Sequence, residues 1–114
     1  MEVLNLNQKF SLFEELWTPK IIGELNGQYL KIAKVKGEFV WHNHSEEDEL
    51  FLVIKGELKI LLEDKEHLLK EGEVFIVPRG VEHKPVADEE CWILLLEPKG
   101  TKHTGEVKDD LTVD

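Results

Sequence analysis

Residues 42–49, which read HNHSEEDE, hold the side chains best suited to binding a cation. His42 and His44 are separated by one residue, so in an extended segment their imidazoles point to the same face and can chelate one metal ion. The alternative interpretation is an exposed polar strand whose imidazoles bind nothing. Further ligands are needed to decide between the two.

Among the four acidic residues of this stretch, Glu49 is the best candidate ligand. Residues 46–48 lie in a predicted loop, whereas Glu49 opens the apolar run 50–54 and would be held rigidly by a strand. By alternation Glu49 shares a face with Phe51, and it points inward if that face is buried. Asp48 is the substitute if the register shifts by one residue. A solvent-facing acid is the alternative.

A ligand from elsewhere in the chain is also expected, and His83 is the best candidate. It follows the turn Pro78-Arg79-Gly80, where proline and glycine let the chain reverse and return a histidine towards the sheet. The alternative is a turn histidine bonded to the backbone. Arg79 is predicted either to form a surface salt bridge or to contact a carboxylate or phosphate of a substrate.

The elements that must position these side chains are predicted to be strands. Apolar runs of about six residues recur with a turn every eight to twelve, which indicates an all-β sandwich or barrel. Asn26-Gly27 predicts a tight hairpin. Residues 7–17 have apolar spacings of three and four, which favour a short amphipathic helix or a single helical turn ending before Pro19. The predicted strands are 20–25, 28–35, 50–55, 57–62, 67–70, 73–77 and 91–96.

Size and charge limit the possible functions. The chain has 114 residues, enough for one domain, and a formal net charge of −10, which disfavours nucleic acid and anionic lipid as partners. Cys91 is the only cysteine, which excludes an intrachain disulfide and a thiolate cluster, and we expect it to be a small buried hydrophobe. No signal pattern and no bilayer-spanning apolar run is evident, so we expect a cytoplasmic protein.

Two segments resemble the signature motifs of the cupin superfamily. Residues 37–56, GEFVWHNHSEEDELFLVIKG, resemble the first motif, in which glycine, HxH, glutamate and glycine recur at fixed spacings. Residues 72–83, GEVFIVPRGVEH, resemble the second, G-x5-PxG-x2-H. The chain departs from the pattern in having four residues rather than five between Gly37 and His42, and Ala87 where asparagine is frequent.

The resemblance implies a cupin jelly-roll β-barrel (double-stranded β-helix) with a short N-terminal helical segment. We expect an N-terminal segment 1–19, a barrel domain 20–105 and a frayed polar tail 106–114. The resemblance further implies that one divalent metal ion (Mn, Fe, Ni, Co or Zn) is bound inside the barrel by His42, His44, Glu49 and His83.

Residues 97–105 are similar to a segment of small uncharacterised cupins of a phosphomannose-isomerase-like type. The expected function is that of a metal-dependent enzyme of the oxygenase, isomerase or decarboxylase type, acting on a small polar substrate. The alternative is a non-catalytic, metal-stabilised module that binds a sugar or effector. Cupins of this size are usually dimers, so a homodimer is expected.

Further roles are expected for residues around the metal. Glu49 and His103 are candidate acid–base groups, although His103 is otherwise a surface residue. His67 is predicted to be a solvated surface residue. An apolar lining is expected from Phe39, Trp41, Phe51, Phe75 and Trp92, and a substrate pocket from Trp41, Phe51, Arg79 and Trp92.

Overall fold

The computed structural model describes residues 1–99 and has one short helix followed by seven strands. His103 and the predicted tail 106–114 lie outside the described residues. None of the helices in the described part has the length and apolarity needed to cross a bilayer. The elements are α1 Leu6–Phe10, β1 Lys20–Leu25, β2 Gln28–Glu38, β3 Glu49–Lys55, β4 Leu58–Leu61, β5 Glu66–Leu69, β6 Val74–Val77 and β7 Lys84–Pro98.

All named strand pairs are antiparallel, and they form a sheet of order β1-β2-β7-β3-β6. Strand β7 has fifteen residues and organises the sheet. Its first part pairs with β4, and β4 in turn pairs with β5. Its second part lies between β2 and β3. The sheet therefore curls around β7 and encloses an apolar interior, the cupin fold expected from the motifs.

The two faces of the curled sheet carry separate apolar clusters, as strand alternation requires. Odd-numbered residues of β7 from Cys91 to Leu95 are buried in the inner cluster, with Ala33, Val35, Phe51 and Val53. On the outer face, Phe10 and Phe13 of the N-terminal segment cover Ile32. The N-terminal segment therefore closes one part of the outer face of its own sheet.

The N-terminal segment is less helical than its apolar spacing allows. Helix α1 is a single short turn capped by Asn5, whose side-chain oxygen accepts a hydrogen bond from the Gln8 amide. Residues after it extend along β2, where the amide of Trp17 donates to the carbonyl of Lys34 at 2.8 Å. The predicted short N-terminal helix is confirmed, and it is the single turn Leu6–Phe10.

Strand boundaries agree with the predictions to within one residue except in β2 and β7. Strand β2 extends to Glu38 rather than ending at Val35, and β7 is Lys84–Pro98 rather than 91–96. Pro85 and the acidic residues 88–90 conceal the first half of this strand in the sequence. The hairpin at Asn26-Gly27 is confirmed, with both residues at positive φ of 50° and 75°.

Candidate metal centre

Backbone pairing brings His42 and His83 side by side. The amide of His42 donates to the carbonyl of His83 at 3.0 Å, and the amide of His83 donates back to His42 at 2.9 Å. Residues exchanging both hydrogen bonds in this way lie directly opposite each other with side chains on one face. The two imidazole centroids are accordingly 4.3 Å apart.

His44 belongs to the irregular segment 39–48 rather than to a strand. Its carbonyl accepts the amide of Gly80 at 2.8 Å, which ties this segment to the Pro78-Arg79-Gly80 turn. The centroid of the His44 ring lies 5.2 Å from that of His42. The expected extended strand is therefore absent, but two backbone ties to the second motif still bring both imidazoles to the same place.

Strand β3 presents Glu49 to the interior. Glu49 is its first residue, paired with Val77 of β6, and it alternates with buried Phe51 and Val53. Asp48 instead accepts the backbone amide of Arg79 at 2.9 Å and is partly exposed. The alternative in which Asp48 replaces Glu49 is therefore wrong, because the register of β3 is not shifted.

The four side chains converge on one point. Ligand atoms of His42, His44, Glu49 and His83 all lie within 4.8 Å of one another, and all four residues are buried. Glu49 Oε1 is 3.0 Å from His83 Nε2, and its Oε2 is 3.2 Å from His44 Nε2. Three imidazoles and one carboxylate are ligands that suit divalent transition metals.

The histidines are oriented as metal ligands usually are. Nδ1 of His42 lies 2.8 Å from the carbonyl of Val40, and Nδ1 of His83 lies 2.9 Å from the carbonyl of Val81. Only a protonated Nδ1 can bond to a carbonyl, so these contacts leave Nε2 as the ring nitrogen with a free lone pair. Second contacts of this kind fix the tautomer of a ligating imidazole.

Two of these nitrogens have no hydrogen-bond partner. Nε2 of His42 and Nε2 of His44 are buried without one, since the 3.2 Å approach of His44 to Glu49 is close without having hydrogen-bond angles. Buried polar atoms are nearly always satisfied, so two unsatisfied nitrogens within 4.8 Å of a buried carboxylate fit a site that binds a cation. The residues present therefore fit a divalent metal ion.

Burial and charge act differently on the members of the cluster. Burial, together with the nearby His83, lowers the pKa of His42 from 6.5 to about 4. Burial also opposes the charge on His44, but the Glu49 carboxylate outweighs it and raises the His44 pKa. Burial disfavours ionised Glu49, yet the contacts with His44 and His83 prevail and lower its pKa. The carboxylate is therefore ionised and His42 is neutral near neutral pH, as metal binding requires.

A small cavity adjoins one side of the cluster. Its enclosed part has a volume of about 30 Å³, room for about two water molecules, and it widens to about 350 Å³ with its open mouth. His42 and Glu49 face this cavity, whereas His44 and His83 do not line it. Its other lining residues are apolar: Trp17, Pro19, Ala33, Val35, Phe39, Phe51, Pro85, Ile93 and Leu95.

Several residues expected at the pocket lie elsewhere. Trp41 is 43% exposed, because successive side chains of an extended segment point to opposite sides and the neighbouring His42 is buried. Trp92 is on the outer face of β7, where it stacks on Phe10 at a centroid distance of 4.6 Å. Arg79 extends from its turn beside Asp48, with a largely exposed side chain. Phe75 packs against His67 rather than at the cavity, so Phe39 and Phe51 are the expected aromatic residues that line it.

Sequence reasoning missed two other features of the interior. Trp17 and Pro19 line the cavity from the N-terminal segment, which has no strand alternation to reveal it. Lys31 and Glu97 form a buried ion pair, with Lys31 Nζ 2.8 Å from Glu97 Oε1. Alternation in β7 could have revealed Glu97, since it continues the buried odd-numbered series after Leu95.

A buried site of three histidines and one glutamate inside a curled antiparallel sheet defines the class to which this protein belongs. The sequence pattern of the family described as "Cupin domain" matches residues 29–97, which is more than half of the chain. The chain therefore belongs to the cupin domain family.

One solved cupin and two uncharacterised proteins are similar to this chain. A solved cupin-2 domain protein from Shewanella frigidimarina is 49% identical, with a TM-score of 0.84 over 85% of this chain and 95% of that one. The uncharacterised Bacillus subtilis protein YdbB is 41% identical over 55% of this chain and 57% of its own length. An uncharacterised Aquifex aeolicus protein is 34% identical over 73% of this chain and 55% of its own length. The chain thus spans little more than half the length of these two relatives.

Proposed function

We propose that this cupin binds one divalent metal ion through His42, His44, Glu49 and His83 and uses it to transform a small molecule bound in the adjoining cavity. The observation that carries the proposal is the pair of buried, unpartnered Nε2 atoms of His42 and His44 beside an ionised, buried Glu49. Neither nitrogen has a hydrogen-bond partner among the other three side chains of the cluster. A cation at their centre would satisfy them.

The charge and number of ligands are suited to an open coordination sphere. Three neutral imidazoles and one carboxylate leave a divalent ion with a net charge of +1. Manganese, iron, cobalt or nickel favours six ligands, so positions would remain for a substrate, whereas zinc would be nearly saturated by four. When bound, such a metal supplies Lewis-acid polarisation or redox chemistry to a molecule in the open positions.

The residues of the chain have separate tasks in this proposal. His42 and Glu49 are the two candidate ligands that line the cavity, and its apolar walls would restrict water beside a bound metal. The lowered pKa of Glu49 suits a group that holds a cation better than one that stores a proton. Glu49 is therefore assigned as a ligand first, ahead of any acid–base role.

Among the described residues, the cavity has no acid or base besides His42 and Glu49. An isomerase of the usual kind needs a base that is free to move a proton. The lining therefore favours an oxygenase or decarboxylase type of reaction, with its chemistry at the metal, over an isomerase. The alternative, a non-catalytic metal-stabilised binding module, is favoured by the same shortage of acid–base groups.

Cobalt titration of the metal-free protein tests the metal site. We expect one Co²⁺ per chain in the wild type and little binding to His83→Asn, because this variant removes one of four converging ligands. His67→Asn is the matched control, since His67 contacts Phe75 away from the cluster. Unchanged cobalt binding by His83→Asn would contradict the site.

The visible spectrum of the cobalt protein then separates the two functions. Weak absorption of a five- or six-coordinate ion, changing on addition of small ligands, supports the enzyme. Intense absorption of a closed tetrahedral ion that ignores added ligands supports the binding or structural alternative.

A further inference from the structure

The cavity beside the metal cluster is built almost entirely from hydrocarbon. Apart from His42 and Glu49, every residue that lines it is apolar. No lysine, arginine, hydroxyl or amide side chain of the described residues is among them. Arg79, the cation expected to meet a carboxylate or phosphate, lies in its exposed turn instead.

The apolar lining of the cavity determines which ligands it can bind. The hydroxyls of a sugar, or the oxygens of a phosphate, would lose water and find no donor or acceptor beyond the metal cluster itself. Methylene and methyl groups would gain from leaving water, by about fourfold in affinity for each buried group. The cavity therefore disfavours the polar part of any ligand that does not itself bind the metal.

Aromatic side chains fix the shape of the wall. Trp17 stacks on Phe39 with a centroid distance of 4.6 Å and an interplanar angle of 15°. The indole Nε1 of Trp17 donates to the carbonyl of Lys36 at 2.9 Å, so its polar atom is turned away to the backbone. Phe39 in turn meets the His42 ring edge-on at 5.5 Å. The apolar wall thus reaches the metal cluster without a polar break.

The size of the cavity limits the ligand as well. The enclosed part holds about 30 Å³, which suits a body of a few heavy atoms, and the remainder of a ligand would lie at the mouth.

From these observations we propose that the site takes a small ligand with one metal-binding polar head and a compact apolar body. This inference rests on the proposed metal function and replaces the expectation of a compact polar substrate. Sugars, polyols and phosphorylated molecules are excluded from the enclosed part of the cavity.

Two isosteric hydroxamates test the inference on the cobalt-loaded protein. Propionohydroxamate and glycolohydroxamate share one chelating head, and their tails differ only by methyl against hydroxyl. We expect propionohydroxamate to bind at least tenfold more tightly, as measured by titration of the cobalt spectrum. Equal binding, or tighter binding of glycolohydroxamate, would overturn the inference and leave the metal site standing.

A variant pair locates the origin of the preference. Val35 lines the cavity, and Val35→Thr places a hydroxyl there with little change of volume. Val53 is equally buried but does not line the cavity, so Val53→Thr is the matched control. We expect the preference for propionohydroxamate over glycolohydroxamate to fall several-fold in Val35→Thr and to persist in Val53→Thr.

The remaining outcomes also decide the question. An unchanged preference in a folded Val35→Thr protein would overturn the assignment of this cavity. If either variant fails to fold by circular dichroism, the wild-type ratio alone decides. A wild-type protein that takes up no cobalt would overturn the proposed function, and this inference with it.

Discussion

The orientation of each imidazole in the cluster is set by the atom that its other ring nitrogen contacts. His42 and His83 each have Nδ1 against the carbonyl of the residue two positions earlier. This contact lies within three consecutive residues. The tautomer that can bind a metal therefore does not depend on packing against distant parts of the chain. The same contact at both positions explains why His42 and His83, on two separate segments, both have Nε2 unprotonated and available to a metal.

The lowered pKa of His42 predicts a pH dependence of stability in the metal-free protein. The folded-state pKa is about 4 and the unfolded value is 6.5, so the unfolded chain takes up the proton first as the pH falls. The contribution of neutral His42 is therefore present above pH 6.5 and lost as the pH falls towards 4. Its full size is roughly 3 kcal/mol.

Urea unfolding in the presence of chelator, from pH 4 to pH 7, measures this effect. We compare the wild type with His42→Asn, whose amide can still donate to the carbonyl of Val40 but does not titrate. The difference in unfolding free energy between the two proteins should grow with pH across this window. A difference that stays constant with pH would show that His42 is not held neutral by burial.

At the scale of the elements, the sequence predicts the candidate metal ligands much better than the residues that line the cavity beside them. His42, His44 and Glu49 lie within eight residues, and His83 follows a turn whose proline and glycine are visible in the sequence. Trp17 reaches the cavity from a segment whose apolar spacing is helical rather than alternating, through one bridge between Leu16 and Lys34 of β2 that no local pattern predicts. Trp92 lies on the outer face because it alternates with buried Cys91 and Ile93, a signal that hydrophobicity alone conceals.

Strands β2 and β7 also bury a charged pair deep in the interior. Glu97 lies one residue beyond the Leu50–Leu96 pair, which places it across from Glu49 on β3. Burial, and then the charge of Glu49, raises the pKa of Glu97, and Lys31 opposes that shift. The contact with Lys31 is close but lacks hydrogen-bond geometry at either carboxylate oxygen.

Removing one partner of this ion pair should lower the free energy of unfolding far more than removing both. Lys31→Met leaves Glu97 buried and unpaired, which we expect to lower the unfolding free energy by about 3–5 kcal/mol. The double variant Lys31→Met/Glu97→Leu replaces the pair with apolar groups and should recover most of that loss. Urea denaturation measures both. A double variant as unstable as the single one would mean that the pair contributes more than charge compensation.

The whole molecule leaves apolar surface uncovered on the outer face of its sheet. Val74 and Ile76 of β6 are 53% and 54% exposed. The N-terminal segment has Phe10 buried against its own sheet. We therefore propose that the expected homodimer forms through β6, an edge strand of the main sheet order.

Light scattering should give about twice the chain mass of 13.2 kDa for the wild type. Ile76→Lys places a charge in the proposed contact and should shift the protein to the monomer. Leu12→Lys is the control, because Leu12 is also exposed but lies on the N-terminal segment. A wild-type monomer at tens of micromolar would contradict the dimer.

The metal should stabilise the whole fold, because its ligands join segments far apart in the chain. His42 and His83 are separated by β3 to β6, so an ion that bridges them ties the two ends of this region together. An ion that binds only the folded protein, at one hundred times its dissociation constant, adds ~2.7 kcal/mol. For a domain of this size that corresponds to ~10 °C in Tm.

Calorimetry of the cobalt-loaded protein with and without chelator measures this difference. The His83→Asn variant should melt at the same temperature in both conditions, since its ligand set is incomplete. Equal melting temperatures in the wild type would mean that the four ligands gain nothing from a shared ion. In that event the contacts of Glu49 with His44 and His83 would be sufficient to hold the interior together.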